Sequence, residues 1–238
     1  MVRLLLSNFM LDGEKFNQEA EANDSFITDS LNSGIIFAVL VGIYIFLTFI
    51  SNSLFFTEEL YYRSFSDQLT IQSIEAFWEL QEQYRWLGYV LMPLIVLLKV
   101  VFATVCISIG VVLSTIEFKF KTVFKTVLLA EVVFVIAQSI YLINLSFHLD
   151  TLTVATVSNY FPFTVLSYFG TENVVDWLQY PLQTLNVFEA AYMGLIAWLL
   201  SKQWKPNFIE SLSVVVPSYG TGLILWLVLV TFLTLQIS

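Results

Sequence analysis

Charge is scarce in this chain. Only 12% of its 238 residues are Asp, Glu, Lys or Arg, about half the roughly 25% of an ordinary soluble domain. Basic residues are scarcer still, ten against nineteen acids, for a net charge of -9. That balance excludes the basic face a nucleic-acid partner requires. One cysteine, Cys106, excludes an intrachain disulfide, and one histidine, His148, has no second imidazole or nearby thiol to share a metal with. HExxH, GxSxG and the phosphate-binding loop are all missing. The sequence therefore predicts no enzyme, no metal site and no cofactor.

What is there is apolar. Hydrophobic residues make up 58% of the chain and the mean hydropathy is +0.79. They come in long blocks, which defines an integral membrane protein. A membrane helix needs about 20 apolar residues at about 1.5 Å each. Five stretches qualify, at about residues 34–55, 86–115, 122–147, 182–200 and 214–235. The expected fold is an all-α, five-helix transmembrane bundle. Outer loops span residues 56–85 and 148–181, and an acidic cytoplasmic tail occupies 1–33. The second stretch would be about 45 Å long as one helix, more than the hydrocarbon core needs. No polar turn divides it, so one crossing with extensions is expected, kinked near Pro93.

The few basic residues set the orientation. Lys119, Lys121 and Lys125 lie between or just inside the second and third stretches, and Lys202 and Lys205 between the fourth and fifth. Residues 148–181 have no Lys or Arg, and neither has the chain after Lys205. The positive-inside rule then predicts a cytoplasmic N-terminus and an outer C-terminus. The apolar run near the start ends in charge before any small-residue cleavage site, so the first span is expected to be an uncleaved signal anchor. Trp86 and Trp177 fit an outer interfacial belt, and Trp198 and Trp204 an inner one, whereas Trp226 falls mid-span.

Two outer segments are candidate partner surfaces. From Leu69 onward, Ile71, Ile74, Phe77, Trp78 and Leu80 recur at helical spacing among Glu75, Glu79 and Glu82, which predicts an amphipathic helix. The loop TLTVATVSNYFPFTVLSYFGTENVVDWLQY is aromatic, β-branched and almost uncharged. Outside the bilayer such a loop wants cover from lipid or protein. Trp78, Phe77, Tyr160, Phe161 and Phe163 are the residues singled out here.

The informative charges are inside the spans. LIVLLKVVFATV places Lys99 in an apolar run, and Glu131 and Glu189 lie in later runs. An unpaired charge in hydrocarbon costs several kcal/mol, so such residues mark internal partners or ion pathways. Lys99 and Glu131 fall at matching depth on consecutive antiparallel helices and are expected to pair. Glu189 falls nearer the outer face, sharing a helix side with Asn186. Gly194 and Ala190–Ala191 should let a neighbouring helix approach closely.

The last third reads YPLQTLNVFEAAYMGLIAWLLSKQWKPNFIESLSVVVPSYGTGLILWL. Leu185, Asn186 and Phe188 lead into an apolar helix rich in small residues. A short basic turn with Lys202 and Lys205 and a closing apolar run follow. Around Lys119 to Thr126 a basic turn precedes Phe124. In these features the chain resembles a bacterial member of the Yip family of small multispanning membrane proteins. The resemblance implies five spans, a cytoplasmic N-terminal tail, partners in membrane trafficking or organisation, and no catalysis.

Two functions follow as expectations. One is a non-enzymatic, multi-pass subunit of the bacterial inner membrane. It would scaffold or assemble with other membrane or periplasmic proteins in a secretion or transport complex, in contact with lipid. The alternative is a small transporter or channel component that uses the intramembrane Glu and Lys residues.

Overall fold

The computed structural model describes residues 32–114, 119–147, 152–154, 157, 162–204 and 207–237. Residues 1–31 of the expected tail, together with His148, Tyr160, Phe161 and Lys205, lie outside the described residues, as does the side chain of Trp204. The described chain is all-α. In order, its helices are α1 (Ser33–Leu54), α2 (Glu58–Phe65), α3 (Ile71–Leu113), α4 (Phe120–Ala130), α5 (Val132–Ser146), α6 (Val165–Phe169), α7 (Asp176–Thr184), α8 (Val187–Trp204) and α9 (Phe208–Ile237).

Short polar side chains start most of these helices by satisfying the free N–H groups of the first turn. Asn32 accepts from Gly34 N at 2.9 Å before α1, and Thr70 from Ser73 N before α3. Asn207 and Glu210 close a reciprocal pair at the start of α9: Glu210 N donates to Asn207 Oδ1, and Asn207 N to Glu210 Oε2.

Among the described residues four helical stretches, not five, are long and apolar enough to cross a membrane. They are α1, α3, α4 with α5 as one stretch (Phe120–Ser146), and Phe208–Gln236 in α9. The expected crossing at 182–200 is the one that falls away. Residues 182–184 close α7 instead, and α8 begins only at Val187. With 18 residues that include Glu189, Lys202 and Gln203, α8 is short and polar for a lipid-facing span. One face of it is packed on protein: Tyr192, Ile196, Ala197 and Leu200 are buried, and α8 packs on α9, α4 and α5. The expectation that the two termini face opposite sides rested on the fifth crossing and goes with it. The chain is a polytopic, all-α membrane protein.

The residues expected to form a first outer loop are also helical. α3 runs unbroken from Ile71 to Leu113 through Pro93, 43 residues in all. The predicted amphipathic helix and the second span are therefore one rod about 65 Å long. No glycine or proline stands between Ile71 and Trp86 to end it, and Pro93 removes one hydrogen bond from a helix its neighbours support. Around the first half of this rod, α2 and residues 152–154 and 157 build a small cap. Phe55, Leu60, Leu142, Leu145, Leu152 and Val157 are buried together there. Ser64 Oγ accepts from Val154 N at 2.8 Å, and Tyr141 donates to Val157 O at 2.7 Å.

The main core runs down the bundle axis. Val96, Val100, Ala103, Ile107 and Val111 supply the α3 stripe, at spacings of three and four. Against it lie Leu40, Val41 and Tyr44 of α1, Val123 and Val127 of α4, the α8 residues and Val215 and Tyr219 of α9. The outer faces remain apolar: Val39, Phe46 and Phe49 on α1, Leu98, Val105 and Val112 on α3, and Val228 and Phe232 on α9 are exposed. Water would not tolerate that much apolar surface, and lipid does. α3 and α9 meet through small residues. At Gly110 an added Cβ would collide with Ser218, and at Gly222 with Cys106, the close approach that small residues permit between membrane helices. Gly194, expected to serve the same purpose, has open space beside it; α8 packs through other residues.

Candidate functional site

The bundle centre holds the charged residues. Lys99 Nζ lies 3.1 Å from Glu131 Oε2, joining α3 to the junction of α4 and α5. Glu131 is 1% exposed at its side chain and Lys99 36%, so the carboxylate is sealed while the lysine stem reaches the edge of the bundle. The ammonium also sits 3.1 Å from the centre of the Phe134 ring, and Tyr192 offers a second ring face at 5.7 Å. Two π-faces and a carboxylate thus replace the water an ammonium would otherwise hold. Tyr44 of α1 donates to Glu131 Oε2 over 3.4 Å, a long bond.

Glu131 lies where the third apolar stretch breaks. The helix stops at Ala130 and restarts at Val132, with Glu131 the single residue between them. No glycine or proline marks this break, so periodicity alone does not find it. An interruption of a spanning helix is tolerated where its backbone is buried in protein.

Glu189 completes the set. It is buried and accepts a hydrogen bond from Tyr219 Oη at 3.0 Å. It lies within electrostatic range of Lys99 and Glu131. Between the carboxylates stands Tyr192, one turn after Glu189 on α8. Its ring centre is 4.9 Å from that of Phe134 and 5.5 Å from that of Tyr219. The Tyr192 hydroxyl and Glu131 Oε1 are both buried without a hydrogen-bond partner, although the two residues are close enough to interact electrostatically.

Six side chains from all five long elements of the bundle thus converge: Tyr44, Lys99, Glu131, Glu189, Tyr192 and Tyr219. The sequence pointed to the three charged ones and missed the tyrosines, which read as ordinary aromatic core. One available signal was the spacing of Glu189 and Tyr192 at i and i+3, which places both on one helix face.

Asn186 stands apart from this set. Its Oδ1 accepts from Glu189 N at 2.8 Å, and its Nδ2 donates to Gln183 O and Thr184 O. It caps α8 and offers Glu189 no side-chain contact, which corrects its expected role as an intramembrane contact. A short antiparallel bridge to Thr164 holds it. Of the expected partner surface, Phe163 is exposed with its ring edge on Phe188. Phe77 is exposed. Trp78 is half-buried, its ring 5.5 Å from Tyr61 and 5.4 Å beneath the Arg85 guanidinium. Trp226, the misfit of the aromatic belt, donates from Nε1 to Tyr180 Oη at 3.0 Å. That bond draws α7 in against α9.

Among the described residues no group of three or more His, Cys, Asp or Glu side chains is placed to hold a metal ion. No family model matches the chain, and neither a curated protein nor a solved structure does.

Proposed function

We propose that this protein is a small transport component of a bacterial cytoplasmic membrane, and that a small cation moves through the buried Lys99–Glu131–Glu189 set. The observation that carries this reading is a charge imbalance. One ammonium faces two buried carboxylates, and an unbalanced charge held away from water costs several kcal/mol. One further positive charge neutralises the set. The unpartnered Glu131 Oε1 and Tyr192 hydroxyl offer it a place.

Purified protein in sealed vesicles, under an ion gradient with a clamped membrane potential, tests this. Cation flux should appear with the wild-type chain and collapse in Glu131→Gln and Glu189→Gln variants that remain monodisperse. Equal flux in wild type and both variants sinks the proposal.

A second reading, assembly with other membrane proteins, draws on the outer aromatic surface. Tyr168 is 87% exposed, and Phe163, Phe169, Val175 and Trp177 stand exposed near it. A Yip-like role in membrane organisation belongs with this reading. Purification in mild detergent with a stable co-eluting protein, lost on Phe163→Ser or Tyr168→Ser substitution, would favour it over transport by this chain alone.

A further inference from the structure

Resting on the transport reading, we infer that the cation is a proton, held between Glu131 and Glu189 and passed between them through the Tyr192 hydroxyl. An alkali or divalent cation needs a cage of several oxygens. Here the oxygens are largely engaged: Glu131 Oε2 by Lys99 and Tyr44, and Glu189 Oε2 by Tyr219. The Phe134, Tyr192 and Tyr219 rings pack in series beside the carboxylates, and the Lys99 ammonium sits 3.1 Å from Glu131 Oε2, where it repels a metal cation. A proton needs only one acceptor atom, and Glu131 Oε1 is a buried acceptor with no donor.

Every element packed at the bundle centre contributes a group to this set. They are Tyr44 from α1, Lys99 from α3, Glu131 from the α4–α5 junction, Glu189 and Tyr192 from α8, and Tyr219 from α9. Cys106 of α3 stands within range of Tyr219. Tyr219 and Tyr44 each bind the Oε2 of a carboxylate. Tyr192 differs: its hydroxyl makes no well-formed hydrogen bond, and it interacts with both carboxylates, with Glu131 more strongly than with Glu189. Its hydroxyl accepts a proton from one carboxylic acid as it releases its own to the other carboxylate. One O–H bond forms on the tyrosine as one breaks, and no electrons are transferred. Lys99 stays charged throughout and holds Glu131 Oε2, leaving Oε1 to take the proton.

The test combines vesicle flux with infrared difference spectroscopy on the full chain. A trapped pH dye should report proton entry under a potassium diffusion potential, with no tracer sodium or potassium moving through the protein. Tyr192→Phe should slow proton entry on the order of a hundredfold, the lower end of what a positioned proton-transfer group contributes, with thermal stability unchanged. A protonated-carboxyl band should appear on acidification and be lost in Glu131→Gln or Glu189→Gln. Undiminished proton entry in Tyr192→Phe overturns the relay. Movement of sodium at constant internal pH overturns the proton and leaves transport standing. If no ion moves, transport fails, and the infrared band alone decides whether the two carboxylates store a proton.

Discussion

The Tyr219 hydroxyl donates to Glu189 Oε2 across 3.0 Å and so ties α9 to α8 at the centre of the bundle. Tyr192 projects into the same space with its hydroxyl unpartnered. Two buried tyrosines one ring apart should therefore respond oppositely to loss of oxygen. Tyr219→Phe leaves a buried carboxylate oxygen without its donor and should cost about 1–3 kcal/mol. Tyr192→Phe removes a hydroxyl that makes no well-formed hydrogen bond and should be neutral or slightly stabilising. Thermal unfolding in detergent measures both, and equal losses would show that the Tyr192 hydroxyl has a partner after all.

Removing one partner of a sealed ion pair costs more than the pair contributes. Lys99→Met leaves Glu131 buried, charged and short of its cation. The expected loss is near the lower end of the roughly 3–5 kcal/mol seen for broken buried pairs, because the Lys99 side chain keeps 36% of its surface accessible. Lys99→Met with Glu131→Gln should recover much of that loss. A double variant as unstable as the sum of the two singles would deny the coupling.

Depth along a helix was legible in the sequence; rotation about its axis was not. Counting residues from the basic turn was enough to place Lys99 and Glu131 at one level, and the structure brings them together. The same counting took residues 182–186 as part of the helix that carries Glu189, whereas α8 begins at Val187 and Glu189 sits in its first turn. Tyr44, Tyr192 and Tyr219 were invisible as a group because aromatic residues fill cores far more often than they bind carboxylates. The extension of α3 back to Ile71 was hidden by composition. Its first half is acidic and amphipathic and its second half apolar, so one continuous helix looked like a loop and a span. The break at Glu131 carries no glycine or proline and belongs to the packing around a buried carboxylate.

Glycine substitutions should separate real helix contacts from apparent ones. At Gly110 a methyl group would meet Ser218 Cβ, an atom fixed to its backbone, so α3 and α9 must part. Gly110→Ala should cost about 1–3 kcal/mol. Gly194 has nothing within 4 Å of an added Cβ, and Gly194→Ala should gain up to about 1 kcal/mol from helix propensity. Gly222 falls between them, since Cys106 Sγ can rotate away. Denaturation in the same detergent ranks the three. A Gly194→Ala variant less stable than Gly110→Ala would mean that the small-residue contact lies on α8.

The bond from Trp226 Nε1 to Tyr180 Oη fastens α7 to α9. Trp226 also packs on Phe102 of α3 with ring centres 5.9 Å apart, so Trp226→Phe removes the donor while keeping an aromatic ring there. Tyr180→Phe removes the acceptor alone. Each should loosen α7 by about 0.5–1.5 kcal/mol, the usual worth of one net hydrogen bond. Hydrogen–deuterium exchange over residues 176–184 should rise in both. The double variant should exchange no faster than the single ones, because the second change removes nothing further. Exchange that rises additively would mean that the two residues hold α7 through separate contacts. α7 would then dock on α9 by packing alone.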